Sequence, residues 1–153
     1  LKNPDSDLEK QKNIFQKFID LAIELDKPIV VHSRKAELEC IEMLESSGIK
    51  KVVMHCFSGK LKLVDRIVSN NWFLSIPTCI KNTLHFGFIV EKVPLENLLA
   101  ETDSPYLHPD KDFPNEPGNV IESYKKIAEL KEFSLEEIEK KLETNYNKLF
   151  GKV

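Results

Sequence analysis

Four short apolar runs, each separated from the next by room for a single helix, constrain the fold of this chain more than any other feature. Pro28-Ile29-Val30-Val31, Lys51-Val52-Val53-Met54, Trp72-Phe73-Leu74-Ser75-Ile76 and Leu98-Leu99-Ala100-Glu101-Thr102 end near positions 32, 55, 76 and 102, in steps of about 21 to 26 residues. Near-continuous apolar runs of this kind read as strands buried on both faces, as in a parallel sheet. Each step holds one strand and one helix, so the pattern predicts four βα units joined by right-handed crossovers. The residues just past these runs are equally informative. His32, His55 and Asp103 stand directly after three of them, and functional groups gather at the carboxyl ends of parallel strands. Two imidazoles and a carboxylate at three such ends suggest a hard divalent-metal site. Ligands on several successive strands favour an α/β fold of the (β/α)8 TIM-barrel type over a doubly wound sheet.

The segments between the runs fit that scheme. A helix is expected over about 7–25, capped by Asp5, Ser6 or Asp7, with Leu8, Phe15, Phe18, Ala22 and Leu25 inward. It stops at Asp26-Lys27-Pro28, because the residue before proline resists helical geometry. A second helix covers 36–45, with Leu38, Ile41 and Leu44 inward and Gly48 as terminator. A third covers 60–69 with Leu61, Val64 and Val68 inward, and 82–92 is helical but poorly patterned. Beyond Asp103, a loop carrying Pro105, Pro109, Pro114 and Pro117 runs to about Gly118, a length that suits a functional lid. Asn119 caps a helix to Leu130 with Val120, Tyr124, Ile127 and Ala128 inward. Ser134-Leu135-Glu136-Glu137 is a capping box opening the last helix, whose face is Leu135, Ile138, Leu142, Tyr146 and Leu149, with Gly151 at its end. The reading is a single domain over 1–153, without low-complexity sequence.

Composition sets outer bounds. The 153 residues are 41% hydrophobic and 31% charged, as in a soluble globular protein, and the formal net charge of −3 gives no broadly basic coat. An enzyme gripping phosphate through metal ions needs only a local positive site. Cys40, Cys56 and Cys79 are unpaired in number and lack zinc-type spacing, which predicts reduced, buried thiols and a cytoplasmic setting; no stretch approaches the ~20 apolar residues of a membrane span. The chain opens on Leu1, and the expectation is that it begins partway through a fold.

Five motifs now stand in order: Val31-His32-Ser33-Arg34, His55-Cys56-Phe57-Ser58-Gly59, Glu101-Thr102-Asp103-Ser104-Pro105-Tyr106-Leu107, Asn115-Glu116-Pro117, and Asn145 with Leu149-Phe150-Gly151. With Gln11, Phe15 and Ala22 of the first helix, they resemble the TatD-family metal-dependent deoxyribonucleases, amidohydrolase-type barrels, over essentially the whole chain. Each motif is weak alone; five in register are specific. The resemblance implies that His32, His55 and Asp103 are the metal ligands of the fifth, sixth and eighth strands. The strand at 72–76 is then the ligand-free seventh. The family's H-x-H pair and bridging Glu have no counterpart, so the expectation is roughly strands 5–8 of an incomplete barrel. A missing amino-terminal half and self-association through exposed edges are expected on that reading.

The implied cofactor is a divalent ion, Mg²⁺ or Mn²⁺ ahead of Zn²⁺, one or two per complete site. The implied substrate is DNA, with RNA second, cut by metal-activated water in an exonuclease manner. D-aminoacyl-tRNA is the alternative substrate, and an inactive half-barrel fragment is the non-enzymatic alternative. Asp103 is the catalytic candidate as well as a ligand, because a carboxylate beside a metal stays ionised and can accept a proton. Arg34 suits a phosphate oxygen or a structural salt bridge, and Ser58 with Gly59 suits phosphate binding by backbone N–H groups or ordinary capping. Glu101, in phase with Asp103, either orients a ligand or lies at the surface. Tyr106, Asn115 and Glu116 belong to the lid, where the family pattern implies site architecture or substrate contact. The chain's Lys35 replaces an Asp expected after Arg34, and Ser75-Ile76-Pro77-Thr78 departs from a Gly-bearing segment. Trp72 and Cys56 read as core, His85 and His108 as surface.

Overall fold

The computed structural model describes residues 8–151, so the cap expected at Asp5, Ser6 or Asp7 lies outside the described residues. All four expected strands form: β1 (Ile29–His32), β2 (Val52–His55), β3 (Phe73–Ile76) and β4 (Leu98–Ala100). They make one parallel sheet in the order β1-β2-β3-β4. A doubly wound sheet reverses strand order at a switch point. No reversal occurs among these four, so right-handed crossovers set the connecting helices on one face, as in a TIM barrel. The helices are α1 (Leu8–Glu24), α2 (Glu37–Ser47), α3 (Leu61–Ser69), α4 (Leu84–Lys92), α5 (Val120–Lys131) and α6 (Leu135–Phe150). Each packs on the next in an arc from α1 to α6.

Strand alternation divides the core in two. Val31, Met54, Leu74 and Leu98 face the helices and join Ile41, Leu44, Val64, Ile67, Ile89, Ile127, Ile138 and Leu142 in the main cluster. Val53, Phe73 and Leu99 project from the opposite face, where Leu149 of α6 joins them. Trp72 is core as expected, donating its indole N–H to the Ile49 carbonyl at 3.2 Å.

Several inward faces are rotated from the expected ones. In α1 the buried residues are Ile19 and Ala22, while Leu8, Phe18 and Leu25 are exposed, because α1 packs on α2 beside the edge of β1 that pairs with no strand among the described residues. In α2 Leu38 is exposed beside buried Ile41 and Leu44. In α3 Leu63, Val64 and Ile67 are buried, with Leu61 and Val68 only partly so. In α6 Asn145 takes a buried place and Tyr146 turns outward; Asn145 donates to the carbonyls of Leu95 (2.7 Å) and Leu98 (2.8 Å), fastening the helix to the start of β4.

The termini of the helices also discriminate between expectations. Gly48 ends α2 in the left-handed region (φ 71°), and the Ser134–Glu137 capping box opens α6. Asn119 does not cap α5 with its side chain: a 3-10 turn over Pro117–Asn119 leads into the helix, and the Asn119 amide is drawn to Asn115 Oδ1 at 2.9 Å. Ser58 caps nothing either, since the residue before α3 is Lys60. The three cysteines are free thiols, but half-buried rather than fully buried. Among the described residues no helix is long and apolar enough to cross a membrane.

Candidate functional site

The register of the sheet places the site. His32 pairs with His55, and His55 with Ser75, so three polar side chains stand in one row at the carboxyl ends of β1, β2 and β3. All three lie on the face opposite the helices, two residues beyond Val30, Val53 and Phe73. Glu101 follows β4 two residues after Leu99, on the same face, and its N–H holds the ladder by donating to the Ile76 carbonyl at 3.0 Å.

The imidazoles of His32 and His55 are side by side, ring centroids 5.7 Å apart and tilted by 44°. His55 Nε2 lies 3.4 Å from Asp103 Oδ1, and its Nδ1 contacts Glu101 Oε2. Ser75 donates its hydroxyl to the same carboxylate oxygen at 2.6 Å. Glu101 is therefore turned into the head of the sheet against His55 and Ser75 rather than lying at the surface. Its hydrogen bond raises the His55 pKa above the usual imidazole range, burial opposes the rise, and Asp103 adds to it. A cation at Nε2 competes with that proton. The other carboxylate oxygen, Glu101 Oε1, is buried with no hydrogen-bond partner among the described residues, an expensive state for a polar atom.

Asp103 sits in the left-handed region (φ 58°), as do Cys56 (φ 43°) after β2 and Lys35 (φ 66°) after β1. The chain thus leaves strand geometry within three residues of the ends of β1, β2 and β4. Cys56 leans into the core, where burial pushes its thiol up to about 12.

The other candidates divide. The strand ends at His32, so Arg34 does not continue its alternation; it is exposed in a turn and forms no ion pair among the described residues. Ser58 is exposed. Tyr106 is exposed, with its N–H on the Asp103 carbonyl at 2.9 Å. Asn115 is buried, at 2% exposure, and its amide is wholly committed. Nδ2 donates to Thr78 Oγ1 (3.1 Å), Thr102 O (2.8 Å) and Tyr106 O (2.7 Å), while Oδ1 accepts from Glu116 N and Asn119 Nδ2. In this arrangement Asn115 pins the loop rather than offering a surface to substrate. The proline-rich segment is thus fastened at its centre, with Ser104 Oγ on the Asn115 carbonyl and Thr78 Oγ1 on Leu107 O. His85 meets the Phe57 carbonyl at 3.2 Å and His108 accepts from Asp110 N at 3.1 Å, so neither joins the cluster. Sequence reading missed Ser75 and Thr78 as polar supports of the site; burial of both on the run after Phe73 was the available signal only in three dimensions.

The donors suit a divalent ion in kind: two imidazoles, the Asp103 carboxylate and an unsatisfied Glu101 oxygen. Their convergence is incomplete, since among the described residues no three His, Cys, Asp or Glu side chains are gathered closely enough to hold a metal.

Comparison with known proteins bears on the same residues. The family model described as TatD related DNase matches residues 1–151. An uncharacterized metal-dependent hydrolase of Methanocaldococcus jannaschii is 38% identical over 146 residues, covering 95% of this chain and 58% of that protein. The human deoxyribonuclease TATDN3 is 37% identical over 145 residues, covering 95% of this chain and 53% of its own length. A crystal structure of a TatD homolog from Escherichia coli K12 superposes with a TM-score of 0.88 at 26% identity, over 95% of this chain and 58% of that one. The chain thus spans a little over half the length of the proteins it matches.

Proposed function

The chain belongs to the TatD-related DNase family, and from that premise we propose that it carries part of the active site of a metal-dependent hydrolase that cleaves DNA phosphodiester bonds. On this reading β1–β4 are the fifth to eighth strands of an eight-stranded barrel. The observation that carries the reading is the row of His32 and His55 at one height, 5.7 Å apart, with Asp103 3.4 Å from His55. His32, His55 and Asp103 would hold the ion: Mg²⁺ or Mn²⁺ is the expectation from the family resemblance, and the two imidazoles also suit Zn²⁺. When bound, such an ion supplies Lewis-acid charge at a scissile phosphate and lowers the pKa of water. The protein's own groups do the rest. Glu101 keeps the His55 ring oriented through Nδ1, Ser75 keeps Glu101 in place, and Asp103 accepts the proton from the attacking water. Arg34, without an ion pair among the described residues, and the exposed Ser58 lie at the mouth of the same strand ends, where a phosphate backbone would run. Magnesium- or manganese-dependent shortening of an end-labelled oligonucleotide, abolished in Asp103→Ala, is the test. No shortening by the fully metallated parent protein would overturn the reading.

A second reading has its own observation. Because no three ligands converge among the described residues, the chain by itself would bind no divalent ion tightly and act only as a folded part. Micromolar Mn²⁺ binding by the isolated chain would exclude it.

A further inference from the structure

Two aromatic side chains stand in solvent beside the candidate site, and neither the fold nor the metal chemistry accounts for them. Tyr106 and Phe113 are 66% and 67% exposed, with ring centroids 6.3 Å apart and planes tilted by 46°. A single exposed aromatic needs no explanation, but two adjacent ones on a fastened loop form a platform. Both are held from below. Tyr106 donates its N–H to the Asp103 carbonyl at 2.9 Å and gives its own carbonyl to Asn115 Nδ2 at 2.7 Å. The Phe113 N–H is fixed on Asp112 Oδ1 at 2.8 Å, two residues before Asn115, whose own N–H bonds the Pro105 carbonyl at 2.8 Å. The loop backbone that carries the two rings is therefore anchored before any ligand arrives, which reduces the ordering cost of binding.

We propose that Tyr106 and Phe113 form a stacking subsite for unpaired nucleobases of the strand whose phosphate lies at Asp103. The inference rests on the nuclease reading above and specifies how substrate is gripped. A nucleobase offers a flat π-face to each ring, and stacking of this kind tolerates any sequence. The charge around the platform is compatible with a polyanion. Asp110 is paired with Lys81 at 2.6 Å, and the exposed Lys111 ammonium forms no ion pair among the described residues, which leaves it to meet a phosphate; Asp112 keeps its charge while accepting from the Phe113 N–H at 2.8 Å. Paired bases bury their faces in the duplex, so the subsite selects single strands or frayed ends.

Binding of a fluorescein-labelled thymidine oligonucleotide, followed by anisotropy with divalent ions chelated, tests the subsite without cleavage. Tyr106→Leu and Phe113→Leu are each expected to weaken binding about tenfold, within the range for one lost base–aromatic contact. Both variants should bind an abasic phosphodeoxyribose strand as the parent does, and their melting midpoints should match it because the replaced rings are exposed. Equal affinity of parent and variants for the thymidine strand, or equal losses on the abasic strand, would overturn the subsite; so would no binding by the parent. The nuclease reading fails separately, if base-dependent binding is intact but no Mg²⁺- or Mn²⁺-dependent shortening occurs.

Discussion

Glu101 reaches from the end of β4 across the head of the sheet to Nδ1 of His55, and the oxygen that makes this contact also accepts the Ser75 hydroxyl at 2.6 Å. A carboxylate on Nδ1 holds the ring by the proton on that nitrogen and turns Nε2 toward Asp103, where a bound cation would replace the Nε2 proton. One anion thus sets both the orientation and the basicity of the neighbouring imidazole.

Replacing that anion tests its role. Glu101→Gln keeps the shape and an acceptor but removes the charge, so divalent affinity should fall about 10- to 100-fold, the usual effect of losing such a partner. Calorimetric titration with Mn²⁺ against the parent chain measures it. Ser75→Ala should produce a smaller loss of the same kind, because Glu101 retains His55 but loses one restraint. Unchanged affinity in both would remove Glu101 from the site.

Asn115 offers a prediction about the loop rather than the ion. Asn115→Ala deletes a buried amide that serves three acceptors and two donors, and an unsatisfied buried group costs about 1–3 kcal/mol. A loss of about 2–3 kcal/mol in urea unfolding is expected on that basis. Limited proteolysis should cut first between Ser104 and Pro117. A variant as stable and as resistant as the parent would show that the loop is held elsewhere.

How far the sequence foretold this arrangement depends on which residues are asked. His32, His55 and Asp103 were legible because each follows an apolar run, and run length plus helix length fixes where a parallel strand ends. Phe18 and Leu38 were misplaced because helical spacing alone does not say which of two adjacent faces meets the sheet; α1 lies by a free edge and buries Ile19 and Ala22 instead. Ser75 stands out in the sequence only as part of a segment that departs from the family pattern, and its place in the row opposite His55 shows in the register alone. Asn115 was visible as a motif, yet its commitment to Thr78, Thr102 and Tyr106 depends on chain segments up to 37 residues away.

Gly59 is required by close approach rather than by a positive φ. A Cβ there would meet Phe57 Cζ at 2.5 Å and Glu37 Cγ at 2.9 Å, and Phe57 is 1% exposed. Glu37 can swing aside; the Phe57 ring is locked in the core. Gly59→Ala should therefore destabilise by about 1–3 kcal/mol, the cost of overpacking. Gly118→Ala, which meets nothing within 4 Å, should be neutral. Thermal melts of the two variants decide it, and equal midpoints would refute the steric argument.

Cys40 carries a pH prediction. Burial, with help from Glu39 and Glu37, pushes its thiol from 9.0 up to about 11. Below pH 9 the folded and unfolded chains both hold the proton, and the contribution to stability is fully present. Between pH 9 and 11 the unfolded chain releases the proton first, so stability falls as pH rises through that window. Alkylation by iodoacetamide at about pH 8 should be slow and should accelerate with each pH unit toward 11, because only the thiolate reacts. Fast, pH-independent labelling of Cys40, read by peptide mass mapping, would contradict the shift.

The free edge of β1 makes the last prediction. Among the described residues β1 pairs only with β2, and Val30, the residue on its open face, is 54% exposed. A cleft of about 470 Å³ lies alongside, lined by Phe15, Phe18, Val30 and Met43 among others. An apolar strand edge with unpaired N–H and C=O groups is a template for another strand. Here Phe18 at 59% exposure adds apolar area to the same surface. The chain prepared alone should therefore self-associate, and sedimentation should show mass rising with concentration. Val30→Lys places a charge on the edge without touching the buried face formed by Val31, so it should shift the population toward monomer while leaving the melting midpoint of the monomer in place. Phe18→Ser should act in the same direction through area alone. A parent chain that stays monomeric across the accessible range would mean that the edge is blunted by contacts of α1, and Val30→Lys would then change nothing in sedimentation.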